Sequence, residues 1–255
     1  NAWQEVRKTW ETSESWAFGP AESGGFDGNL DDWPVNEKDL STALSSGAVT
    51  PELFAKLTTT AKGFHGIEAV LYGTQGTRPE ASQLSAVQLS YLRQAGADLA
   101  TNSRGLAAAW EGPKGFGADF TANPDEAVAE ILQGMVGTLE EVAAEKLGAA
   151  LASRDKGDLE SFYSDNTRSD IVANLAGVNE ALQRSSLIQL LASRDAKLAS
   201  SLQQALDEAQ ASARALPERL NTAINDPAGR SKIEAVMASS ERIVALLKQA
   251  SAQLS

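Results

Sequence analysis

The single histidine of this 255-residue chain, His65, is followed three residues later by Glu68 in the stretch GFHGIEAVLYG, residues 63–73. A neutral imidazole offers one nitrogen lone pair and one N–H. A carboxylate one helical turn away can accept that proton or join the nitrogen on a metal ion. At about 100° per residue, His65, Glu68 and Tyr72 fall within about 60° of one another, and Phe64, Ile67, Val70 and Leu71 share an apolar arc. Spacing leaves two readings open: a solvated face with an ordinary ion pair, or part of a binding site. Gly63 and Gly66 each cost about 1 kcal/mol against alanine inside a helix, so close approach of another helix is their expected reason.

A second candidate lies near the start. Trp3, Val6, Trp10 and Ala17 define an apolar stripe, and Glu14 falls inside it. A carboxylate on a core-facing stripe needs a partner, because burying an unpaired charge is prohibitive. Arg7, on nearly the same face, is one expected partner. The other reading makes Glu14 a ligand or proton acceptor assembled with His65 and Glu68.

Other templates fail. DGNLDDW places Asp27, Asn29 and Asp31 at calcium-loop spacing, but Asp32 stands where the turn needs glycine and Lys38 where the bidentate glutamate belongs, so these acids read as solvated. SDNTRSD, residues 164–170, reads as a capping box of Thr167 and Asp170. There is no HExxH, no second histidine and no glycine-rich phosphate loop. One imidazole with several carboxylates suits a metal that accepts oxygen ligands, such as ferric iron, manganese or zinc.

The elements that must position these residues read as helices throughout. Apolar residues recur at three and four, with few β-branched runs. Helices are predicted over roughly 2–17, 37–46, 51–73, 82–110, 125–154, 168–184, 186–224 and 229–253. Ser82, Asp125 and Thr167 are the expected caps, and Pro217 is expected to kink or split the penultimate segment. Residues 18–34 and 111–124 read as irregular. The second of these divides the chain into expected bundles 1–116 and 117–255, each of about four helices by bundle arithmetic.

Composition narrows the function class. With 22 basic and 34 acidic residues the formal charge is 22 − 34 = −12, which disfavours nucleic acid and anionic membrane surfaces as partners. The absence of cysteine excludes disulfides, thiolate metal sites and cysteine nucleophiles. No apolar run approaches the length of a membrane span. The start NAWQEVRKTW falls directly into a helical pattern, as expected of a trimmed chain.

Gly63-Phe64-His65-Gly66-Ile67-Glu68 resembles the GxHxxE signature of the imelysin family. RKTWETSESWAFGP, LDDWPVN, LESFYSDNTRSDIVANLAGVNEAL and SSLIQLLASRDAKL are similar to further segments of that family, so the resemblance runs along the whole chain. It implies an all-α fold of two packed helical bundles with the GxHxxE helix near their interface. It also implies a bacterial periplasmic or outer-surface protein, lipid-anchored before processing, that serves iron uptake or transfer. The metal ligands it implies are His65, Glu68, Glu14 and Asp170, holding iron or another divalent or trivalent ion such as zinc. A membrane iron transporter or a periplasmic redox protein would then be the partner. Two alternatives stay open. One is a metallopeptidase with Glu68 as general base, for which a single histidine is a sparse ligand set. The other is a metal-free module for a peptide, haem or partner protein. The resemblance further implies a long helix before residue 1 and a glycine near Gln183 and Arg184, where this chain has none.

Overall fold

Pro227–Leu254 shows how the pattern makes the fold. Ile233, Val236, Ser240, Ile243, Val244, Leu247, Ala250 and Leu254 are its buried positions past the first turn, spaced by three and four so that one stripe faces the core. The same logic holds along the chain. In the computed structural model, which describes residues 2–74 and 77–254, every regular element among the described residues is helical.

Packing divides the chain into two compact units, residues 1–17 with 120–255, and residues 18–119. The expected division of 1–116 from 117–255 is therefore redrawn at the start. Ala2–Ser13 packs on Thr167–Arg184, within the larger unit. Trp3 and Trp10 are buried there, but Val6, placed on the same stripe, is 49% exposed. The larger unit's core is a continuous cluster of Leu, Ile, Val and Ala from Leu132 to Leu254.

Several helices break where the sequence reading ran them through. The segment 51–73 is three pieces, Pro51–Ala55, Thr59–Ala61 and Gly63–Tyr72. The threonines at the break bond outside the helix: Thr58 Oγ1 donates to Asp39 Oδ2 at 3.0 Å, and Thr59 Oγ1 donates to Asp32. The segment 186–224 splits at Asp195, which caps Ala196–Arg214 by accepting from the Leu198 amide at 2.9 Å. That helix ends before Pro217, as expected of the ring. The caps differ too. Ser85, not Ser82, caps Ala86–Trp110 in a box with Gln88, and Asn123 and Asn166 stand where Asp125 and Thr167 were expected. Residues 18–34, read as irregular, hold two short helices, Pro20–Ser23 and Phe26–Asp31.

Candidate functional site

The histidine helix, Gly63–Tyr72, is buried from Gly63 through Val70, so the solvated-face reading of His65 and Glu68 does not hold. Both side chains are fully enclosed. His65 Nδ1 lies 3.1 Å from Glu68 Oε2, the pair expected from the spacing. His65 Nε2 lies 3.1 Å from Asp31 Oδ1, a contact the sequence reading missed. The imidazole is thus held between two carboxylates, one on its own helix and one at the end of Phe26–Asp31.

One backbone approach and one side-chain hydrogen bond flank Asp31 beside the ring. Gly63 opens the histidine helix at φ +55°, and a Cβ there would stand 2.3 Å from the carbonyl oxygen of Leu30. Only glycine takes that angle and that closeness together. On the other side of Asp31, Asp32 accepts from Thr59 Oγ1. Gly66 serves the far face of the same helix. A Cβ there would meet Tyr91 Oη at 2.3 Å, and that hydroxyl donates to the Ala61 carbonyl at 2.9 Å. Burial pushes the Tyr91 phenol's pKa up, which keeps it a donor. Close helix approach, expected for both glycines, is what Gly66 shows. Gly63 meets a backbone carbonyl and carries a left-handed turn as well.

Glu14 and Asp170 belong to the larger unit. Lys146 Nζ, fully buried, donates to both Glu14 carboxylate oxygens at 3.0 Å, to Glu11 at 2.8 Å, and pairs with Glu160 at 2.8 Å. Arg7 pairs with Glu11 one turn on and with Glu160 at 2.8 Å, and its Nε lies 3.8 Å from Asp170. The expected Arg7–Glu14 bridge is therefore replaced: Glu11 takes the arginine, and Lys146, 132 residues away, takes Glu14. Asn174 Nδ2 donates to Glu11 and Glu14 at 2.7 Å each, and Asn166 Nδ2 donates to Asp170 at 2.8 Å. The Thr167–Asp170 capping box is absent, and Asp170 is instead a member of this cluster.

Four buried or nearly buried carboxylates, Glu11, Glu14, Glu160 and Asp170, face two cations, Arg7 and Lys146, so full ionisation of these six would leave 2 − 4 = −2, with the part-exposed Glu141 a further acid 3.7 Å from Lys146. Protons relieve that imbalance. Burial, then the neighbouring Glu11, pushes the Asp170 carboxyl up to about 8 against the pull of Arg7. Burial and Glu11 likewise hold the Glu14 carboxyl well above the usual range, although Lys146 opposes them. For Lys146, burial works against the charge, but Glu11, Glu14 and Glu160 outweigh it and raise the ammonium's pKa.

The lysine reaches this position through an unusual winding. Pro124–Glu141 runs into a π-helical stretch, Val142–Ala149, and returns to α in Ala150–Ser153. Such wide turns are frequent at functional sites.

The pattern of known imelysins matches residues 1–248, nearly the whole chain. The chain belongs to the imelysin family. Iron-regulated protein A of Synechococcus elongatus is 32% identical over 249 residues, covering 90% of this chain. The chain spans 66% of that relative's length, just under two thirds. Among solved structures, a protein of Parabacteroides distasonis described as an iron-regulated protein A precursor superposes with a TM-score of 0.85 at 19% identity, over 100% of this chain and 82% of its own. An imelysin-like protein of Psychrobacter arcticum gives 0.76 at 22% identity, over 96% and 77%. At these identities the two structures establish the all-helical imelysin fold. Among this imelysin's described residues, no helix is long and apolar enough to cross a membrane.

Proposed function

We propose that this imelysin binds a metal ion, iron first, at the His65–Asp31–Glu68 constellation and serves iron uptake or transfer without catalysing a reaction. The observation that carries the reading is the chain's sole imidazole, fully buried with a carboxylate 3.1 Å from each ring nitrogen. A carboxylate only accepts, so the space between His65 Nε2 and Asp31 Oδ1 calls for a positive charge, either a proton or a metal. Donor atoms sharing one metal at bonds of about 2.1 Å sit about 3.0 to 3.4 Å apart, so 3.1 Å suits a shared ion. A ring nitrogen, Nε2, and a hard carboxylate oxygen of Asp31 beside it fit a ferric ion or zinc. The relative named iron-regulated protein A supports iron as the ion.

In this reading Glu14 and Asp170 stabilise the larger unit rather than hold the ion, because Lys146 and Arg7 already neutralise that cluster. An exported setting, periplasmic or at the outer surface, fits the precursor description of the Parabacteroides neighbour. A membrane iron transporter or periplasmic redox protein would deliver or receive the ion.

The test is metal analysis and thermal melting of protein purified without chelators, alongside His65→Ala. A ligand present at about a hundred times its Kd adds about 2.7 kcal/mol, a rise of several degrees in Tm. Ferric iron or zinc should produce that rise in the wild type alone. No rise, or an equal rise in His65→Ala, would overturn the reading.

A further inference from the structure

The GxHxxE pattern places two donors one turn apart and invites assigning both to the metal. The geometry divides their labour. Glu68 is fully enclosed and rides on the histidine's own helix, with its carboxylate 3.1 Å from Nδ1. Asp31 comes from a separate helix, and its side chain keeps 6% exposure, while the imidazole and Glu68 have none. An arriving ion can therefore reach the constellation from the Asp31 edge, where Nε2 points. A ligating imidazole commonly donates its other N–H to a carboxylate, which fixes tautomer and ring orientation.

We propose that Glu68 is a positioning residue rather than a ligand: it accepts the Nδ1 proton of His65 and so presents Nε2, beside Asp31, to the metal. The ring is held along one axis, Glu68 to Nδ1 and Nε2 to Asp31. Turning the ring to offer Nδ1 instead would break both 3.1 Å contacts. The assignment rests on the metal-binding reading, but half of it concerns the protein without metal.

The lone histidine makes the test direct, because a protein labelled with 15N-histidine gives one pair of ring signals. Spectra of the wild type, above the imidazole transition, are recorded without metal and with saturating zinc. The expected result is a proton on Nδ1 in both, with the zinc-induced shift at Nε2. A zinc-induced shift at Nδ1 would overturn the proposal. Glu68→Ala should mix the two tautomers and weaken zinc binding by about 10- to 100-fold, the usual effect of losing such a support. Asp31→Asn should weaken it more. Equal tautomer populations in the wild type and Glu68→Ala would also overturn the positioning role. Should neither nitrogen respond to zinc and Tm stay fixed, the metal reading falls. The metal-free spectra then decide Glu68 alone: a proton on Nδ1 in the wild type, redistributed in Glu68→Ala, keeps the positioning role. Should Glu68→Ala not fold, the nitrogen that zinc shifts in the wild type decides the assignment.

Discussion

Two buried polar assemblies in this molecule solve the same problem in opposite ways. The cluster of the larger unit gathers Arg7, Glu11, Glu14, Lys146, Glu160 and Asp170 from distant parts of the chain and neutralises carboxylates with cationic side chains and protons. The assembly of the smaller unit sets one imidazole between two acids, Glu68 at Nδ1 and Asp31 at Nε2. The first carries its own counter-charge, so removing one member leaves the others stranded. In the second, both acids converge on a neutral-or-charged imidazole rather than on a fixed cation. The contrast is between carboxylates met by permanent charges and carboxylates met by a ring that can gain or lose a proton.

Lys146→Met gives the widest separation between the two. It strips the ammonium from Glu11, Glu14 and Glu160, and breaking a buried pair in this way costs about 3–5 kcal/mol. Urea unfolding should report that loss, while zinc-induced changes at His65 persist in whatever protein remains folded. Stability unchanged by the substitution would show that the cluster tolerates losing its cation.

A smaller effect comes from pH. The Asp170 carboxyl sits at about 8 in the folded protein against an ordinary 3.8, so its folded value is raised. Its contribution is fully present in acid, below the unfolded value, and is lost as pH rises through about 8. From pH 6 to 9 the urea-derived stability should fall by on the order of 1–3 kcal/mol, and Asp170→Asn should flatten that slope. A slope unaltered in Asp170→Asn would place the proton elsewhere, with Glu14 the next group to replace.

The smallest of the three tests the frame of the histidine helix. In Gly66→Ala the new methyl meets Tyr91 Oη, at an overpacking cost of about 1–3 kcal/mol partly offset by about 1 kcal/mol of helix propensity. Tyr91→Phe removes the blocking oxygen, so the double variant should recover part of the loss in thermal melting. No recovery would mean that the methyl is resisted by the Ala61 backbone instead.

What the sequence revealed follows the distance over which each contact acts. The His65–Glu68 pair lies within one helical turn, and its spacing was enough to bring the groups together. The reading that Glu14 needs a partner was sound physics, yet it named Arg7 because only local residues can be paired by eye. Lys146 is out of reach of such reasoning, and a π-helical stretch sets its phase. Asp31 was hidden by company. Glycines and acids surround it, and the calcium-loop comparison made it look like one of several solvated turn residues. A signal was present in Gly63, whose cost implies a backbone pressed against it, but not in which backbone. The all-helical class was legible throughout. The breaks at Thr58 and Asp195 were not, because side chains that leave the helix for distant partners do not alter the apolar periodicity.

The wide stretch at Val142–Ala149 also has a consequence for chain length. A π turn accommodates one more residue than an α turn, so the rod from Pro124 to Ser153 is phased by a surplus of residues. Deleting one residue there would let the stretch close into an ordinary α-helix. The helix after it would keep nearly its present phase, because the wide turn had absorbed the extra residue, while residues inside the stretch, Lys146 among them, would be repositioned. A single-residue deletion within this stretch thus spares the register of the helices on either side, and its effect falls on the side chains of the wide turns themselves.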